Sequence, residues 1–183
     1  MILVGIDEVG RGCVAGPVVA AAVAISGKLP FAVYDSKKIN ANKREQLDIL
    51  IKDHCLDFSI SIVYPKIIDE INIHEASLLA MSDAFNGLGI YPDSVKVDGR
   101  FIPGQIDHPN LKSIINGDSI VPEISTASII AKVFRDNLMD KYARQYPNYH
   151  FHKHKGYLTK KHLEAIDNFG ACEIHRRSFA PFS

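Results

Sequence analysis

The chain has 183 residues, 46% hydrophobic and 23% charged, with 21 basic and 21 acidic side chains; this is the length and composition of one globular domain with a substantial core. Three scattered cysteines, Cys13, Cys55 and Cys172, form no CxxC pair, which argues against a disulfide framework and a zinc site and fits a reducing, cytoplasmic setting. Zero net charge taken alone argues against nucleic acid, yet there are 10 basic against 5 acidic residues from Lys132 to the end and 11 against 16 before it, so the total can hide an acidic pole and a basic face.

The first element is the apolar run Ile2-Leu3-Val4-Gly5-Ile6, suited to a strand buried on both faces. It ends on Asp7-Glu8 and then Gly10-Arg11-Gly12. Adjacent carboxylates at a strand end are costly to bury unpaired, and the glycines allow close backbone approach, which together suggest a divalent metal facing a phosphate-bearing substrate. The apolar stretch Cys13–Ile25 follows acids instead of a basic leader and is too short to span a bilayer. It reads as a turn and a second strand, Val18 to Ile25, with no membrane role.

Asn42-Lys43-Arg44-Glu45 resembles a capping box opening a helix through about His54. Phe58, Ile60 and Ile62 alternate with serines as a half-buried strand. Asn72-Ile73-His74-Glu75 looks like a second capping box before a helix with Leu78, Met81, Phe85 and Leu88 on one face, stopped near Gly87 or Gly89. Ser94–Asp98 and 111–115 are short strands. Pro122 opens a long helix presenting Ile124, Ala127, Ala131, Phe134, Leu138 and Tyr142, ending before Pro147. A last helix runs from Thr159 to Phe169, with Gly170 as its cap. An α/β or α+β sheet with flanking helices is expected.

Three strands share one pattern, an apolar run followed by an acid and a small residue: Ile6-Asp7-Glu8, Val97-Asp98-Gly99 and Ile115-Asn116-Gly117-Asp118. Such ends can converge on one sheet edge, where α/β ligand sites form. Carboxylates gathered there repel and raise one another's pKa values; divalent cations relieve this, and an all-oxygen set points to Mg²⁺ or Mn²⁺.

The strings IDEVGRG, DSKK (35–38), VDG (97–99), GDSIVPEISTASIIAKVFRD (117–136), HKGY (154–157) and HRRSF (175–179) stand in one order. In that order the chain resembles bacterial ribonuclease HII, from about Ile2 to Phe182. The resemblance implies an α/β ribonuclease H-like fold with a central mixed sheet. It implies one catalytic domain over residues 1–183, with a small helical C-terminal extension (about 147–183) forming a basic substrate-binding segment. The implied activity is hydrolysis of RNA in RNA–DNA hybrids and incision 5′ of single ribonucleotides in duplex DNA, leaving 5′-phosphate and 3′-hydroxyl ends. It places the acids on Asp7, Glu8, Asp98 and Asp118, the ribose reader on Gly10, Arg11 and Gly12, and a sugar-stacking ring on Tyr157. Two Mg²⁺ or Mn²⁺ ions roughly 3.5–4 Å apart would straddle the scissile phosphate. Cys13 and Thr126 stand where proline and alanine are often found, beside the motifs. A monomer is expected.

Other residues carry alternatives. Lys37 and Lys38 clamp phosphate or form a surface pair. Thr126 and Ser128 bond DNA phosphate or lie on the buried side of the long helix. Asp136 pairs with Arg135 or Lys132. Arg176 and Arg177 bind the duplex backbone or cap acidic helix ends. His150, His152 and His154 read as a solvated loop with strand-like spacing. Two rival functions remain at this stage. One is another ribonuclease H-fold nuclease lacking the ribose reader, which would cut all-DNA substrates; the other is a silent hybrid-binding module, which would cut nothing.

Overall fold

A computed structural model describes residues 1–183 except Tyr34, Asp35 and Lys37. Among the described residues, five strands form one mixed sheet: β1 (Ile2–Val9), β2 (Val18–Ser26), β3 (Asp57–Val63), β4 (Ser94–Asp98) and β5 (Leu111–Ile114). Their spatial order is β3-β2-β1-β4-β5. The first three run antiparallel, and β4 and β5 lie parallel to β1. The carboxyl ends of β1, β4 and β5 therefore meet at one edge, where open α/β sheets gather their ligands.

The helices are α1 (Ala41–His54), α2 (Pro65–Asn86), α3 (Gly117–Ile120), α4 (Pro122–Gln145), α5 (Phe151–His154) and α6 (Lys160–Phe169). Strand β2 explains the layering. Val18, Ala20, Ala22 and Ala24 pack in the core shared with α2 residues such as Ala76, Ala80 and Met81. Val19, Ala21, Val23 and Ile25 pack in the core shared with Leu47 of α1 and Ala127, Ile130 and Ala131 of α4. Small side chains on both faces let the helices sit close. Gly5 carries this furthest: a Cβ there would lie 2.0 Å from the Glu123 carbonyl, so α4 begins directly against β1. A third core, with Met139, Tyr149, Phe151, Ala165, Ile166 and Ile174, seats the C-terminal segment on the far half of α4.

The observed elements correct four expectations. Asp7 and Glu8 lie inside β1, which continues to Val9. The cap of α1 is Asn40, whose side chain accepts from the Lys43 amide, because a capping oxygen reaches three residues ahead. Asn72 does cap, accepting from the His74 and Glu75 amides. However, its φ of 68° joins two helical segments within α2, and the first, begun by Pro65, carried no recognised pattern. His152 and His154 lie on the short helix α5, with His150 as its cap at φ 57°, and His154 is buried, so the solvated-loop reading fails for it.

Candidate active site

The parallel register of β1 and β4 sets Ile6 opposite Val97, so Asp7 and Asp98 follow side by side on the sheet face that α4 covers. Glu8 comes next in the chain, one residue before the strand's last, Val9. Oxygens of Asp7, Glu8 and Asp98 lie within 4.8 Å of one another. Asp118 stands beside this trio in the first turn of α3. It is buried, its amide donates to Asp98 Oδ1 at 3.3 Å, and its Oδ1 accepts from the Ser119 hydroxyl at 3.4 Å.

Burial is the main force on the two carboxyls of β1. It holds Asp7 well above the usual aspartate range, and the charges of Glu8 and Asp98 push in the same direction. Hydrogen bonds from Ser128 and from the Glu8 amide, at 2.8 Å, oppose this. Glu8 is also raised by burial, against the lowering effect of Arg11, whose Nη1 lies 3.3 Å from Oε1. Its other oxygen, Oε2, is buried with no hydrogen-bond partner. A buried orphan oxygen on a carboxylate clustered with two others suits a divalent cation. With oxygen donors only, the set fits Mg²⁺ or Mn²⁺ better than zinc.

Beside the acids, Gly10-Arg11-Gly12 turns off the end of β1. Arg176 is fully buried beneath it and donates to the Gly10 carbonyl at 2.7 Å, the Arg11 carbonyl at 2.8 Å and the Gly16 carbonyl at 3.0 Å. In a trans peptide the N–H points opposite its carbonyl, so the amides of Arg11 and Gly12 face away from the guanidinium. A second buried arginine, Arg135, donates to the carbonyls of Pro17, Lys155 and Ala15. Gly10 has φ +97°, and a Cβ on it would meet Arg135 Nε at 2.2 Å; one on Gly12 would meet only Tyr157 Cε1, at 3.8 Å. Tyr157 is 44% exposed, so a half-open aromatic residue lies against the turn.

The remaining candidates separate. Lys37 lies outside the described residues, and Lys38 is exposed. Thr126 is fully buried and donates to the Glu123 carbonyl at 2.6 Å, so the phosphate-contact reading gives way to the buried one. Ser128 is also buried, with Ser36 Oγ at 2.9 Å; its hydroxyl serves Asp7, not a surface. Asp136 pairs with Lys132 at 2.7 Å and with Arg44 at 3.7 Å, and not with the buried Arg135. Neither reading of Arg176 holds, since it braces the turn. Arg177 donates its amide to Asp69 and its guanidinium to the Ala171 carbonyl. Sequence reasoning missed the two buried arginines and a group of buried imidazoles, His154, His162 and His175. An Arg or His motif gives no sign of which side its neighbours lie on.

Comparison with known proteins identifies the family. The ribonuclease HII family model matches residues 4–182. Ribonuclease HII of Borrelia hermsii is 51% identical over 180 residues, covering 97% of this chain and 98% of that protein. That of Syntrophus aciditrophicus is 48% identical over 179 residues, covering 97% and 84%. The crystal structure of ribonuclease H2 from Pyrococcus horikoshii superposes with a TM-score of 0.83 at 27% identity, over 100% of this chain and 95% of that one. The fold is ribonuclease H-like, and the chain belongs to the ribonuclease HII family of metal-dependent endoribonucleases.

Proposed function

We propose that this endoribonuclease hydrolyses the RNA strand of RNA–DNA hybrids and cuts on the 5′ side of single ribonucleotides embedded in duplex DNA. The products are 5′-phosphate and 3′-hydroxyl ends. The observation that carries this reading is the adjacency of the Asp7, Glu8 and Asp98 cluster to the Gly12–Tyr157 pair.

In this reading Asp7, Glu8, Asp98 and Asp118 hold the cofactor, Mg²⁺ or Mn²⁺. Two such ions in the substrate complex supply activation of water and neutralisation of the leaving oxygen. The chain's own groups do the reading. RNA and DNA differ at the 2′-hydroxyl, and the outward amides of Arg11 and Gly12 are placed to engage the ribose and its phosphate, with no side chain on Gly12 to intervene. Arg11, tethered to Glu8 by one nitrogen and otherwise open, meets phosphate charge. The Tyr157 face supports the neighbouring sugar. The protein works as a monomer in the cytoplasm.

The test is cleavage mapping on a DNA duplex with one ribonucleotide. A site built to bond a hydroxyl rejects its deoxy analogue by about 10⁴–10⁵-fold. The ribonucleotide duplex should be cut on its 5′ side, and the all-DNA and 2′-O-methyl duplexes should stay intact. Comparable cutting of either control would leave a metal nuclease without a ribose reader.

A further inference from the structure

The three buried imidazoles lie behind Tyr157, outside the machinery described above. Their hydrogen bonds fix every ring proton. The Cys172 amide donates to His175 Nδ1 at 2.9 Å, so the His175 proton sits on Nε2. That nitrogen is 3.0 Å from His162 Nε2, which must therefore accept, leaving the His162 proton on Nδ1. Nδ1 then donates to the Tyr157 carbonyl at 2.9 Å. The third ring stacks on His162 at 4.3 Å between centroids. Its Nδ1 accepts from the Gly156 amide at 3.3 Å and its Nε2 donates to the Tyr149 carbonyl at 2.8 Å. The Tyr157 amide donates to the His154 carbonyl at 2.9 Å. Both peptide groups of Tyr157 are thus held from behind.

We propose that His162 and His175 form a relay of neutral imidazoles that positions Tyr157 for its sugar contact, so that substrate discrimination depends on two side chains that never touch substrate. The claim rests on the reading of Tyr157 given above. Only an uncharged ring both donates and accepts, and each member here must do both. A proton added to His162 sets two N–H groups face to face at the central bond; one added to His175 does so at the Cys172 amide. The titratable and charged groups around the pair are His154 on α5, Tyr149 before it, whose ring lies 5.1 Å from His175, and Cys172 and Arg177 on the segment after α6, the Cys172 thiol 3.1 Å from His175 Nδ1. Among the described residues no carboxylate pairs with either ring, and burial holds both near a pKa of about 4.

Two measurements test the proposal. Imidazole ¹⁵N NMR of the wild type at pH 7 should show His162 carrying its proton on Nδ1 and His175 on Nε2, both neutral. A charged ring or the opposite tautomer at His162 would overturn the relay whatever Tyr157 does. Cleavage kinetics then compare a duplex holding one ribonucleotide with an RNA–DNA hybrid. His162→Leu should lose about 10- to 100-fold on the single ribonucleotide, the penalty of a displaced positioning group, and much less on the hybrid, copying Tyr157→Ala. His162→Asn, which retains a donor at the Nδ1 position, should recover most of the loss. Adding His162→Leu to Tyr157→Ala should cost nothing further. Equal loss on both substrates, no rescue by asparagine, or additive losses would each reject positioning through Tyr157. Wild-type behaviour of Tyr157→Ala alongside the predicted tautomers would instead reject the sugar-contact reading and leave the relay standing.

Discussion

At the scale of single residues, Asp7 sets folding against chemistry. Its carboxyl is buried against Glu8 and Asp98 with a pKa raised chiefly by that burial. The charge therefore opposes folding at pH above the ordinary aspartate value, and the penalty fades as pH falls through the raised one. With EDTA at pH 7, Asp7→Asn should melt above wild type by about 2 °C or more, since asparagine retains an oxygen for the Glu8 amide. It should nevertheless lose nearly all cleavage, as should Asp98→Asn. Added Mg²⁺ should raise the melting temperature of wild type and restore its activity after chelation, with little effect on Asp7→Asn. A near-native rate in Asp98→Asn would remove that residue from the metal set. These acids were legible in the sequence because a carboxylate ending an apolar run is a local contradiction that only a partner resolves. Thr126 and Ser128 were not: a helical hydroxyl shows no direction until the helix is packed, and both turned inward.

At the scale of elements, the turn after β1 has two glycines with opposite duties. Gly10 is glycine for the protein: its φ is +97° and Arg135 occupies the space of a side chain. Gly12 has room for a methyl at ordinary contact distance from Tyr157. Gly10→Ala should therefore lower thermal stability, with activity falling through the folded fraction. Gly12→Ala should melt like wild type and lose cleavage of single ribonucleotides by on the order of 10- to 100-fold, because the added methyl displaces the sugar from the amides. A Gly12→Ala enzyme with unchanged kinetics would show that substrate does not approach this backbone. Long helices with strong boundaries were readable: α4 runs from Pro122 to just before Pro147, and α6 lies between Thr159 and Gly170. The kink at Asn72 was not, since helix continues on both sides of a residue that carries a start signal.

At the scale of the molecule, the C-terminal segment is held together internally by imidazoles that tolerate no extra protons. His162 and His175 are neutral when folded, with pKa values of about 4 against an ordinary 6.5. The unfolded chain binds more protons between those values, so each ring makes stability rise with pH from about 4 to 6.5 and adds no further slope above. Asp7 and Glu8 act in the opposite sense, so the comparison is best made against His175→Gln. Wild type should lose more stability than this variant between pH 6.5 and 4, by about 2 kcal/mol for one imidazole. Parallel melting curves across that range would show the ring to be protonated in the fold. The excess of basic residues after Lys132 was visible in the sequence. The inward turn of Arg135, Arg176 and three histidines was not, because charge counts do not distinguish a surface cation from one that holds carbonyls.

The Gly10–Gly12 turn follows Asp7 and Glu8 along one unbroken stretch of main chain, and α4 braces both ends, against Gly5 on one side and under Gly10 on the other. On the proposed reading of this turn, no hinge lies between the place where a sugar is recognised and the place where a bond breaks. The spacing between recognised nucleotide and broken linkage is therefore a dimension of the scaffold, inherited from covalent geometry. If that reading holds, substitutions elsewhere should change how often this enzyme cuts, while the position of the cut stays with the backbone.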